Sequence, residues 1–228
     1  MKINLVKAAR LITLLFFITE GRIYAQNKTI LRLAREYSRG LQSMERQKHH
    51  VSIEQLLRKG KLVAARLHDM ENLDESDYAA LEKAMRGFVI NRQEVVYLEP
   101  DAKFYVGLSR RKGTTADRAF FQMLSKIKPD SVWPAYIEQE TDYGGCTIFG
   151  TGILSRLYGQ LVRFSTAFPN AYRREVKDEI RDILSEFDPQ SAPCRDHGSI
   201  RDEFKIFTKS FPKDKNIPEI RRRFAGKI

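Results

Sequence analysis

The sequence predicts a mostly α-helical protein stapled by one disulfide. Three observations carry that prediction. Apolar residues recur at helical spacing along most of the chain. Helix-starting signals precede several of those stripes. The chain also carries two cysteines, Cys146 and Cys194, an even pair of the kind that bridges in an oxidising compartment. Short connections between the stripes point to a multi-helix bundle. A bridge would close a loop of about 49 residues, for which chain-entropy reasoning expects roughly 4 kcal/mol of stabilisation.

Each element has its own signal. Ile30, Leu31, Leu33, Ala34, Tyr37, Leu41 and Met44 form the first stripe. Ser52 and Gln55 have the spacing of a capping box and open a second helix through Ile53, Leu56, Leu57, Val63, Ala64 and Leu67, with Gly60 as its weak point. Asp74 can cap a third, with Leu73 and Tyr78 as a hydrophobic staple and Leu81, Met85, Phe88 and Val89 continuing its stripe. Residues 94–108 are ambiguous. Val95-Val96-Tyr97-Leu98 and Phe104-Tyr105-Val106 could pair as a small β-hairpin about Pro100-Asp101. Val95 and Val96 also extend the preceding stripe, and Pro100 can start a helix, so we read this segment as helix.

Gly113 and Thr114 precede a helix carrying Phe120, Phe121, Leu124 and Ile127, which ends before Pro129. Two strong stripes follow the irregular segment 129–152. One runs from Ile153 to Phe168 and the other from Tyr172 to Phe187, separated by Pro169. Ser199 with Asp202 starts a last helix through Phe204 and Phe207 to Phe211, before a short basic piece at Arg221-Arg222-Arg223.

The first 25 residues predict export. Lys2, Lys7 and Arg10 precede the apolar run Leu11–Thr19, and Ile23-Tyr24-Ala25 offers a cleavage site before Gln26. The run is too short to span a bilayer. The expected organisation is a signal peptide over 1–25, an N-terminal helical segment or subdomain over 26–100, and a C-terminal helical domain with the disulfide over 101–228.

The chain is basic, with a formal charge of +11. Residues 1–25 hold four basic groups and one acid, leaving +8 for the remainder. Charge is also segregated: ten basic against three acidic residues over 26–66, then three against nine over 67–102. A basic surface of this kind suits an anionic envelope polymer, lipid headgroups or an acidic protein. Export makes nucleic acid an unexpected partner. The histidines show no metal-ligand spacing, and no cofactor or metal is expected.

Residues 133–152 (WPAYIEQETDYGGCTIFGTG) are where chemistry would sit, since irregular glycine-rich segments often display binding residues. The structural reading has a short helix begun at Pro134 and ended by Gly144 and Gly145, a turn through Gly150 and Gly152, and a tie from Cys146 to Cys194. A glycosidase reading pairs Glu138 with Asp142, four residues apart and so on one face of that helix. The segment from Asp142 to Gly152 resembles the Asp, Thr and glycine segment of phage-type lysozymes, with different spacing and no upstream glutamate at the usual distance. A cysteine-peptidase or amidase reading uses Cys146 as nucleophile, His197 as base and Asp196 as orienting group. Tyr143-Gly-Gly-Cys146 resembles exported wall cysteine peptidases but lacks their serine-glycine continuation. Gly150-Thr-Gly152 could present free backbone donors to an anion. The expected function is an exported envelope-associated binding or accessory protein without catalysis. The alternative is a peptidoglycan-active enzyme.

Overall fold

Local capping chemistry starts many of the helices. The computed structural model describes residues 29–46, 52–141 and 144–224; the expected signal peptide and its cleavage site lie outside them. Among the described residues there are ten helices, two small antiparallel hairpins and the Cys146–Cys194 disulfide. The mostly helical class and the bridge therefore hold. The chain packs as two units, one ending at Pro100 and the other beginning at Asp101. No described helix is long and apolar enough to cross a membrane.

The first unit contains α1 (described over 29–45), α2 (Ile53–Ala64), α3 (Leu67–Glu71), α4 (Glu75–Ala84) and the hairpin β1 (Phe88–Asn91) with β2 (Tyr97–Pro100). The Ser52 hydroxyl accepts from Gln55 N at 3.1 Å, completing the expected capping box. Asp74 accepts from Asp77 N at 2.7 Å. Three expectations fail here. Helix α4 stops at Ala84, because Gly87 takes a positive φ of 95° and turns the chain out. Phe88 and Val89 thus belong to a strand. Residues 94–108 are neither one helix nor the expected hairpin: β2 pairs backward with β1, Phe88 opposite Pro100, while Phe104–Val106 lie in the next helix. Leu67 is likewise not in α2 but opens the separate short α3.

The stripes of α1 and α2 bury Ile30, Tyr37, Leu56 and Leu57 completely. The Tyr37 ring meets Phe88 edge-on, and its hydroxyl donates to Arg86 O at 2.7 Å. Phe88 also explains Gly60. A Cβ built there would stand 2.1 Å from Phe88 Cζ, so the residue is a site of close approach rather than a weak point.

The second unit contains α5 (Ala102–Lys112), α6 (Thr115–Ile127), β3 (Ile137–Thr141), β4 (Gly144–Thr147), α7 (Ile153–Ala167), α8 (Arg173–Ser185), α9 (Ile200–Ser210) and α10 (Ile217–Phe224). Asp101 caps α5 by accepting from Lys103 N and Phe104 N. Thr114 and Asp117 form a capping box on α6, and Ser199 and Asp202 form the expected one on α9. The tail expected only as a basic piece is a helix, since Ile217, Ile220 and Phe224 share a buried face. Helix α7 packs against α6, α8 and α9. Phe120 stacks on Tyr172 at 3.8 Å between centroids, and Tyr105 stacks on Phe121 at 4.8 Å. Tyr172 adopts a left-handed φ of 52°, held by this stack and by its hydroxyl donating to Asp117 Oδ1.

Helix α7 has no cap of its own. Gly152 precedes it in a left-handed conformation, and the cap comes from Glu203 on α9, which is fully buried. Its carboxyl accepts from Gly152 N at 2.8 Å, Ser155 N at 3.3 Å and the Ser155 hydroxyl at 3.5 Å. The expected turn through Gly150 and Gly152 leads into α7, and the Gly152 N–H is taken up by a side chain of the same protein.

Two substitutions test this packing. Gly60→Ala improves intrinsic helix propensity by about 1 kcal/mol, yet the added methyl must displace Phe88. The expected result is net destabilisation of about 1–3 kcal/mol in denaturant unfolding. Glu203→Ala strands the buried Ser155 N–H and the part-buried Gly152 N–H and is expected to cost about 3 kcal/mol, seen as a lower midpoint at unchanged denaturant slope. Glu203→Gln keeps an acceptor and should cost less.

Candidate functional site

Residues 133–152 do not form the expected short helix. Glu138 stands on β3, facing Cys146 across the hairpin, and Gln139 faces Gly145. The hairpin is close: a Cβ at Gly145 would lie 2.3 Å from Glu138 O, so only glycine fits. Strand β3 is polar and mostly exposed, which is why periodicity did not reveal it. The helix-face argument for Glu138 with Asp142 therefore fails. Asp142 itself lies outside the described residues.

A third backbone segment docks on β4. Thr147 N donates to Ala192 O at 2.7 Å and Cys194 N donates to Thr147 O at 3.1 Å. Further along, Gly198 N donates to Phe149 O at 3.0 Å. Gly150 takes a φ of +74° and lies so near Gly198 that a Cβ on it would come within 2.7 Å of that residue's Cα. These bonds put Cys194 beside Cys146, with Cα atoms 4.8 Å apart and the sulfurs joined. The Cys146 sulfur is thus a bridge partner here, and the proposed nucleophile is not a thiol. His197 nevertheless comes to the same corner. Its Nε2 lies 3.7 Å from Glu138 Oε2, uniting one residue from each enzymatic reading. Asp196 is exposed on the turn between them.

Behind the hairpin, the Thr147 hydroxyl donates to Glu186 Oε2 at 2.7 Å. Burial pushes the Glu186 carboxyl above the usual carboxylate range, the Thr147 hydrogen bond opposes that shift, and Asp182 adds to it. The buried Tyr136 phenol is pushed far above its ordinary range by desolvation, then by Glu186, Glu179 and Asp182. In both groups burial shifts the balance toward the neutral form.

The second candidate region is a groove of about 640 Å³ along α8, within the roughly 300–1,000 Å³ typical of small-ligand sites. Arg173, Lys177 and Arg181 recur every four residues and make a cationic row. Val176, Ile180 and Leu184 make an apolar row beside it. Lys215, Asn216 and Arg223 contribute from the far side, and among the described residues no acid lines the groove. Asp178 and Asp182 hold Arg181, and Glu219 faces Arg223. Arg173, Lys177 and Lys215 are exposed and make no ion pair among the described residues. The apolar stripe of α8 was legible in the sequence. The cationic row was missed, although its four-residue spacing was there to find.

The chain matches no family model, no curated protein and no solved structure.

Glu186 makes a pH prediction. Its folded pKa lies above the unfolded one, so the folded state binds the extra proton. Its contribution favours folding at acid pH and declines as pH rises through the folded pKa. Glu186→Gln retains an acceptor for Thr147 and removes the titration. The variant should gain stability relative to the parent as pH is raised from acid to neutral, read from denaturant midpoints across that range.

Proposed function

We propose that this is an exported envelope-associated binding protein, without catalytic activity, that holds an anionic amphiphile in the α8 groove. The observation that carries the reading is the pair of parallel rows on α8, one cationic and one apolar. A phosphate or carboxylate headgroup would pair with Arg173, Lys177 and Lys215. The start of a lipid chain would cover the half-buried Ile180 and Leu184. The apolar row favours a lipid over a wall polymer or an acidic protein, which would need charge alone.

Export, with cleavage after Ala25, belongs to the same proposal. It rests on the basic and apolar pattern of residues 1–25. An intramolecular disulfide suits the oxidising compartment that export implies. The overall basic charge would bring the protein toward an anionic surface, and the groove would then select.

Sedimentation with vesicles tests the reading. The protein should bind vesicles of phosphatidylglycerol with phosphatidylcholine at low salt, bind more weakly as salt rises, and ignore pure phosphatidylcholine. Replacing Arg173 and Lys177 with alanine should weaken binding about thirtyfold, at about 1 kcal/mol for each cation near the surface. Equal binding to neutral vesicles, or binding to wall sacculi with none to lipid, would overturn it.

A further inference from the structure

We propose that the Cys146–Cys194 corner becomes a zinc site when its disulfide is reduced, with Cys146, Cys194, His197 and Glu138 as the donors. The site is independent of the α8 groove and of the lipid reading.

Three backbone segments converge there. The β3–β4 register sets Glu138 directly opposite Cys146, so both side chains leave the same face of the hairpin. The docked segment brings Cys194, and the turn after it brings His197, whose N–H donates to Cys194 O at 3.3 Å. Cys194 and His197 thus form a Cys-x-x-His pair, a spacing that lets both side chains meet one metal. The two sulfurs and a Glu138 carboxylate oxygen lie within 4.8 Å of one another. His197 Nε2 is 3.7 Å from that carboxylate. Tetrahedral zinc with bonds of about 2.0–2.3 Å sets its donors roughly 3.3–3.8 Å apart. The sulfurs must part from bonding distance, and the Glu138 and His197 side chains, both partly exposed, must close on them.

The donor types fit the ion. Two thiolates favour zinc over magnesium or calcium, and an imidazole with a carboxylate completes four ligands. The cysteines are buried, at 3% and 4% exposure, while the His197 and Glu138 side chains stand at 32% and 59%. The metal would therefore sit at the protein edge, with its thiolates shielded and its other two ligands open to solvent.

The chemistry balances in two steps. A dithiol reductant supplies two electrons and two protons to the S–S bond, which breaks to two thiols while the reductant closes to its own disulfide. Divalent zinc then displaces the two thiol protons to solvent and binds the thiolates. In the reverse direction a disulfide oxidant takes the two electrons from the thiolates and two protons from solvent, is reduced to its dithiol, and the Cys146–Cys194 bond re-forms with release of the ion. The same corner is closed either by a covalent bond or by a metal.

The test uses the purified chain, reduced with dithiothreitol, freed of it without oxygen, and titrated with cobalt(II) as a spectroscopic substitute for zinc. The reduced protein should take up one equivalent and develop a thiolate-to-cobalt charge-transfer band with the visible bands of four-coordinate cobalt. Zinc should abolish both. The oxidised protein and the double variant Cys146→Ser with Cys194→Ser should show neither. Glu138→Gln and His197→Gln should each bind at least about tenfold more weakly, since even outer-shell changes cost that much. Absence of the bands in the reduced protein would overturn the proposal, as would unchanged affinity in both single variants. Circular dichroism covers loss of fold on reduction: metal should restore the signal of the oxidised chain, and failure to restore it would also overturn the site.

Discussion

Glu203 holds the second unit in register. Helix α7 packs against α6, α8 and α9, but its N-cap residue is a glycine, and nearby in sequence only the Thr151 hydroxyl accepts from its first turn, at Ile153 N. A carboxyl from α9, fully removed from water, accepts from Gly152 N and Ser155 N. Burying such a group is costly unless its hydrogen bonds are made. The N-terminus of α7 offers both donors and a dipole of the right sign. The cost and the compensation are thus local to one point, and that point fixes where α9 starts relative to α7.

The placement of the corner follows from that constraint. The chain between the end of β4 and α7 must pass Gly150, and the chain entering α9 must pass Gly198. Their backbones touch because neither carries a Cβ. The hydrogen bonds from Thr147 to Phe149 then seat the cysteine segment, so the disulfide closes a geometry already specified by backbone pairing. The groove has a different origin. Helix α8 turns Val176 and Ile183 into the core and leaves Ile180 and Leu184 half-buried beside an exposed charged row. A corner built from the β3–β4 hairpin and its docked loop and a groove built along α8 therefore lie in the same unit without sharing a residue.

Legibility in the sequence was uneven, and the unevenness has physical causes. Ser52, Asp74 and Ser199 were found because a cap is a local bond, made between residues three apart. The stripes of α1, α6 and α7 were found because burial imposes a helical period on composition. The hairpins were not. Strand β3 has no apolar alternation, since most of it faces solvent, and β1 continues the stripe of α4 by coincidence although Gly87 has already turned the chain out of the helix. Gly60 was misread because the atom that requires a glycine there belongs to Phe88, 28 positions away and invisible to local spacing.

The sequence by itself determined the mostly helical class, the main caps, most of the core residues and the pairing of the two cysteines. Each of these depends on residue type, near-neighbour spacing or an even count. Only the tertiary structure decided that Glu203 caps a helix 48 residues before it, that Glu138 and His197 meet beside the disulfide, and that the cations of α8 border a groove. Those relations are set by which backbones approach in space. Hydrogen-bond satisfaction and close packing select that approach from all segments at once, and no window along the chain contains it.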